Sequence, residues 1–186
     1  MRAQLAILTF IITITLVYCR QINSENMNQS EQSTTLGIDT SVIAILPYDT
    51  TQLWIFKDGR PTELSSKDIS QIDTILNKCV NDYNPEQEIR FNKFNIDHPE
   101  FKEYPELKPP KKAFLIYLQL YKRQYVAIIN LKGEKEVWVN CFCTPYFMNI
   151  WKTKPIVVED GGNCYFNLKV NLTTGQYYDL YVNHEA

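Results

Sequence analysis

The chain has 186 residues, is 45% hydrophobic and 13% aromatic, and carries 19 basic against 21 acidic side chains for a formal charge of −2. That length and apolar content suit one buried core and exclude a chain that is disordered throughout. Lys and Arg are interspersed with Glu and Asp, so there is no basic stripe of the kind that draws nucleic acid.

The chain opens Met1-Arg2 and continues as an uncharged run from Ala3 to Tyr18 that is closed by Cys19. A short cationic stretch followed by an apolar run predicts a secretory signal over residues 1–19. The run falls short of the roughly 20 apolar residues needed to span a bilayer, and it includes Gln4 and three threonines. Cys19 stands where bacterial lipoproteins carry the acylated cysteine, which makes it the lipidation candidate, although Tyr18 before it is larger than the small residue usual there. Membrane contact is expected only with that lipid, and one acyl chain alone binds weakly. In either case the expected location is extracytoplasmic: periplasmic, secreted, or held at a membrane by lipid.

Residues 20–36 are mostly Asn, Ser, Gln, Glu and Thr, a composition that cannot bury enough surface to offset ordering, and they read as a flexible polar tether. A single α+β domain is expected over residues 37–186. It begins with β-rich runs at residues 41–47 and 53–56. One amphipathic helix follows: Ser65 and Asp68 form a capping box, and Ile69, Ile72, Ile75, Leu76, Cys79, Val80 and Tyr83 recur at helical spacing up to Pro85. The apolar residues form one stripe, so the helix is expected to lie on a sheet. Residues 84–112 read as an irregular Glu-, Lys- and Pro-rich segment with a possible strand at 89–96. Strands are then expected at residues 113–121, 124–131, 135–143, 164–172 and 176–182, with turns at 132–134 and 173–175 that impose antiparallel pairing. Residues 144–154 read as a short helix or crossover and 156–158 as an edge strand. One main helix packed on a curled antiparallel sheet has the general shape of cystatin-like and NTF2-like folds. The Gln-x-Val-x-Gly signature of cystatin inhibitors is absent.

The ending, Glu159-Asp-Gly-Gly-Asn-Cys-Tyr-Phe166 followed by Thr174-Gly175 and Val182-Asn183, resembles the C-terminal ends of uncharacterised secreted or lipid-anchored proteins of Gram-negative bacteria. The resemblance covers the last quarter of the chain and implies an exported setting without implying an activity.

Five cysteines in an exported chain raise the question of disulfides. Strand alternation puts Cys141 and Cys143 on one face of their strand, with Val137 and Val139, and puts Cys164 on the apolar face of the next strand. Cys79 lies in the helix stripe, so Cys79, Cys141, Cys143 and Cys164 are all expected to point to one core. They read either as buried thiols or as disulfide candidates, with Cys79 and Cys164 the better partners for the Cys141-x-Cys143 pair. The two histidines, His98 and His184, lie in a charged loop and near the end, so no metal site is expected.

The same alternation assigns Tyr117, Tyr121, Trp138, Asn140, Phe142, Tyr165, Asn167, Tyr177 and Tyr181 to the opposite, outward face. Rings interleaved with amides can stack on sugar C–H groups while Asn hydrogen-bonds hydroxyls, or can receive a protein partner. The same residues also stabilise a solvated sheet as cross-strand pairs. The sequence contains no Gly-x-Ser-x-Gly, no His-Glu-x-x-His and no phosphate loop, and nothing calls for a cofactor. The leading expectation is therefore a non-catalytic exported module that binds a protein or glycan through the aromatic face. The alternative is a small extracytoplasmic hydrolase using carboxylates near Asp97 or Asp160.

Overall fold

The computed structural model describes residues 39–49, 54–144 and 146–183. The residues expected to form a signal segment (1–19, with Cys19) and a tether (20–36), as well as Leu53 and His184, lie outside the described residues. The elements are β1 (Ile43–Leu46), β2 (Arg60–Pro61), α1 (Ser66–Asp97), β3 (Lys122–Ile129), β4 (Lys135–Phe142), β5 (Tyr165–Asn171) and β6 (Gln176–Val182). They form an α+β fold in which one main helix packs on an open six-stranded sheet of order β1-β3-β4-β5-β6, with β2 also paired to β3.

Strands β3 to β6 form the expected antiparallel meander. Its hairpins share one device. Asn130 Oδ1 accepts the backbone N–H groups of Lys132 and Glu134, and Asn171 Oδ1 accepts those of Thr173 and Thr174. The sheet as a whole is mixed, which corrects the purely antiparallel expectation. Strand β1 runs parallel to β3, with Ile43 opposite Arg123 and Leu46 opposite Val126. The intervening helix supplies the long crossover that a parallel pair needs. Strand β2 pairs with the rest of the same β3 edge through Arg60 and Ile129.

That shared edge explains why residues 113–121 form no strand. Leu115, Ile116, Leu118 and Tyr121 are buried as a strand reading requires, but both edges of β3 are already taken. The segment turns through short 3₁₀ stretches at Lys111–Ala113 and Leu118–Leu120 instead. Asparagine amides replace a ladder: Asn84 accepts from Ile116 N–H and donates to Ile116 C=O, both at 2.9 Å, and Asn163 donates to the carbonyls of Lys112 and Leu115.

Helix α1 starts where expected. Ser65 Oγ accepts the Asp68 N–H at 3.2 Å, and Asp68 Oδ2 accepts the Ser65 N–H at 2.8 Å. It does not end at Pro85 but runs on to Asp97, 32 residues in all, so residues 89–96 are helical and not a strand. Proline removes one N–H donor from the helix and restrains the residue before it. The following turns are held from outside by Phe91 and Phe94, three apart on one face, which pack against Phe114, with Phe101 also on Phe94.

The sheet is covered on both faces. On the helix side, Ile72, Leu76 and Cys79 of α1 meet Val137, Val139, Cys141, Phe166, Leu168 and Val170. On the other side, Trp138 and Phe142 are covered by Tyr48, Ile55, Phe56, Trp151 and Ile156. This second cover is irregular: residues 146–154 are turns, and 156–158 form no strand. Two buried amides hold it. Gln124 donates to the carbonyls of Trp151 and Lys154, and its Oε1 accepts from Asn140 Nδ2 at 3.0 Å and from the Ile156 N–H at 2.8 Å. Asn140 donates in turn to the Ile156 carbonyl at 2.8 Å. Replacing Gln124 with Ala leaves several buried polar groups unpaired, so chemical denaturation is expected to show a loss of about 3 kcal/mol. Amide exchange should rise first in residues 146–158, ahead of α1.

Candidate functional site

The two faces of β4 and β5 are those given by alternation, but the aromatic face is mostly interior. Phe142 is fully buried and Trp138 is 3% exposed beneath the second cover. What remains open is a cleft of about 370 Å³ between the covering segments and β4 to β6, into which Trp138, Asn140, Tyr165, Asn167 and Tyr181 all face. Five of the nine expected face residues are thus brought together.

The other four are placed elsewhere. Tyr121 belongs to the helix-side core, where its hydroxyl donates to the Asn163 carbonyl at 2.8 Å and burial pushes its pKa upward. Tyr117 and Tyr121 line a separate, mainly apolar cleft of about 510 Å³ beside Cys143 and Cys164. Phe142 packs edge-on against Trp151 with ring centres 6.0 Å apart. Tyr177 also lies on the helix side. Its hydroxyl donates to Asp82 at 2.9 Å, and that bond raises its pKa to about 12.

A β-bulge explains the misplacement of Tyr177. Lys169 pairs with Tyr178 and Asn167 with Tyr181, so two residues of β6, Asp179 and Leu180, oppose Leu168 alone. Asp179 has φ +52°, the only non-glycine positive φ among the described residues. The extra residue shifts the alternation, so Tyr177, Leu180 and Val182 pack on the helix side while Tyr181 turns to the cleft.

Two cleft residues, Trp54 and Asn183, were not assigned to this face from the sequence, whereas Lys169 and Asp179 fall on it by the same alternation. Trp54 stands at its lip, 56% exposed, with its ring perpendicular to that of Trp138 at 5.3 Å. The Trp138 indole N–H donates to Asn167 Oδ1 at 3.3 Å. Lys169 pairs with Asp179 at 3.1 Å and lies over the Phe56 ring at 5.5 Å. Asn183 is fixed by donating its amide to the carbonyls of Val158 and Asp160, while its backbone N–H donates to Tyr165. At Gly161, φ is +90° and a β-carbon would meet the Tyr165 ring at 2.7 Å, so glycine is needed for the turn to seat that ring. The ring-plus-amide pattern was legible along β4 and β5. Trp54 was not, because it belongs to an irregular segment that reads as a buried strand.

Cys143 and Cys164 form a disulfide across the start of β5, with Cα atoms 5.1 Å apart. Cys143 is exposed, not a core residue, because β4 ends before it. Cys79 and Cys141 are buried free thiols in the helix-side core, and burial raises the Cys79 pKa to about 11 and pushes that of Cys141 up as well. At neutral pH both are protonated and unreactive. The disulfide fits an oxidising, extracytoplasmic environment, and among the described residues no helix is long and apolar enough to cross a membrane. Asp97 forms an exposed ion pair with Lys93, and the neighbouring His98 hydrogen-bonds Glu100, at the end of α1. Among the described residues no three His, Cys, Asp or Glu side chains are grouped to hold a metal ion.

No protein-family model, curated protein or solved structure matches the chain. The burial difference between its two cleft tryptophans has a direct consequence. Trp138→Ala empties a packed site and should cost about 3–5 kcal/mol in thermal or denaturant unfolding. Trp54→Ala should cost less than about 1 kcal/mol.

Proposed function

We propose that the protein is a non-catalytic, exported module that binds a glycan in the cleft under Trp54. The observation that carries this reading is Trp54 itself, a large ring left over half exposed at the mouth of a cleft floored by Trp138, Asn140 and Asn167. An indole offers a flat apolar surface to sugar C–H groups and an N–H at its edge, and amides beside it suit the hydroxyls. A volume of about 370 Å³ suits a small ligand or a short stretch of a longer one. A flat protein partner would want the wider aromatic face, much of which lies beneath residues 146–158.

The helix-on-meander shape, general to cystatin-like and NTF2-like folds, adds architecture and no ligand. The signal-like start and the Cys143–Cys164 disulfide support an extracytoplasmic setting, whether periplasmic, secreted or lipid-held at Cys19. The hydrolase reading gains nothing, since Asp97 is tied to Lys93 and Asp160 lies exposed on its turn.

The test is calorimetric titration of saccharides selected on a glycan array, using the wild type, Trp54→Ala and Tyr181→Ala. Both variants should lose tenfold or more in affinity, the loss of roughly 1.4 kcal/mol or more expected when a stacking ring is removed, while their melting curves stay near that of the wild type. Undiminished binding by Trp54→Ala, or no saccharide bound by the wild type, would sink the reading.

A further inference from the structure

Tyr181 and Asn183 line a second cleft as well as the one under Trp54. This neighbour, of about 550 Å³, lies between the second half of α1 and the end of β6. Its lining is polar and includes Tyr83, Gln87, Arg90 and Phe114, with no acidic side chain among them. Arg90 carries its only charge. Gln87 is buried, and its Oε1 accepts from Arg90 Nη1 at 2.9 Å. The guanidinium is therefore held in place by a neutral partner, and among the described residues no carboxylate pairs with it.

The arrangement differs from that of the more buried Arg123, which is paired to Asp73 at 2.6 Å, whereas the exposed Arg90 has the Gln87 amide as its partner. A guanidinium presents five N–H donors in a planar fork, and one Nη1 contact leaves the Nε and Nη2 edge for a second planar acceptor. Two parallel charge-assisted hydrogen bonds to a carboxylate are the strongest use of such an edge. Asn183, fixed by the Val158 and Asp160 carbonyls, forms a rigid floor common to both clefts, and the Tyr181 ring, 49% exposed, stands between them.

We infer that the ligand is an acidic saccharide, one unit stacking under Trp54 and the carboxylate of another reaching past Tyr181 to the Gln87-held guanidinium of Arg90. This rests on the glycan reading of the Trp54 cleft and adds the charge of the ligand and the residue that selects it. Lys169 does not compete for the carboxylate, because Asp179 already neutralises it. Arg90 acts through no buried hydrophobic contact of the core clusters, so its replacement leaves the fold in place.

The experiment titrates the full chain with three probes: a tetrasaccharide containing hexuronic acid, its carboxyl-reduced neutral counterpart, and the neutral form bearing O-sulfate. The wild type should bind the carboxylated probe about tenfold or more tightly than the neutral one, as expected for hydrogen bonds to a charged group. Arg90→Gln should abolish that preference without changing affinity for the neutral probe. Arg90→Lys should keep only part of it, since an ammonium lacks the fork. A preference that survives in Arg90→Gln, or equal binding of the carboxylated and neutral probes by the wild type, overturns the inference while leaving the Trp54 reading intact. Equal or tighter binding of the sulfated probe overturns the assignment of a carboxylate. Failure of all three probes to bind overturns the inference, while the Trp54 reading is decided separately by the array-selected saccharides.

Discussion

The pair of buried amides at Gln124 and Asn140 decides what this sheet presents to its surroundings. The two lie opposite each other on β3 and β4, on the face away from α1. Four hydrogen bonds run from them to backbone groups of residues 151–156. A buried amide without partners costs more than its bonds contribute when made, so the two glutamine and asparagine side chains and the irregular segment above them require one another. With that segment in place, Phe142 and Trp138 become core residues and the aromatic face narrows to a cleft.

The same economy of edges governs the rest of the fold. Strand β1, joined to β3 through the α1 crossover, and the short β2 together occupy the edge of β3 not used by β4. The chain between α1 and β3 finds no free edge and resorts to asparagine side chains to satisfy its backbone. Asn84 and Asn163 do there what Gln124 and Asn140 do on the opposite face. Side-chain amides thus stand in for missing ladders in both of these irregular buried segments, which agrees with the need to pair nearly every buried backbone polar group.

The parts that could be read from the sequence are those set by local pattern. The Ser65–Asp68 box, the helix stripe to Tyr83, the tight turns at 132–134 and 173–175 and the alternation along β4 and β5 follow from local pattern alone. The parts that escaped depend on distant partners. Pro85 looks like a helix end until Phe101 and Phe114 are seen to hold the turns beyond it. Tyr177 looks outward until the bulge at Asp179 is placed. A period of two says which residues share a face, and nothing in it says what covers that face. That is why Phe142 and Trp54 exchanged roles between the sequence and the structure, one passing into the core and the other emerging at the lip of the cleft.

In the proposed function a ligand enters beside Trp54 and reaches Trp138 through the part of the aromatic face that the second cover leaves open. The chain has three tryptophans, and Trp151, 1% exposed, lies under the opposite end of the cover against Phe142. The most direct measurement is the set of indole N–H resonances of ¹⁵N-labelled protein during titration with a bound saccharide. Shifts of the Trp54 and Trp138 signals with an unmoved Trp151 signal are the predicted result. Indole signals that all stay in place, or a Trp151 signal that moves as far as that of Trp54, would contradict the account.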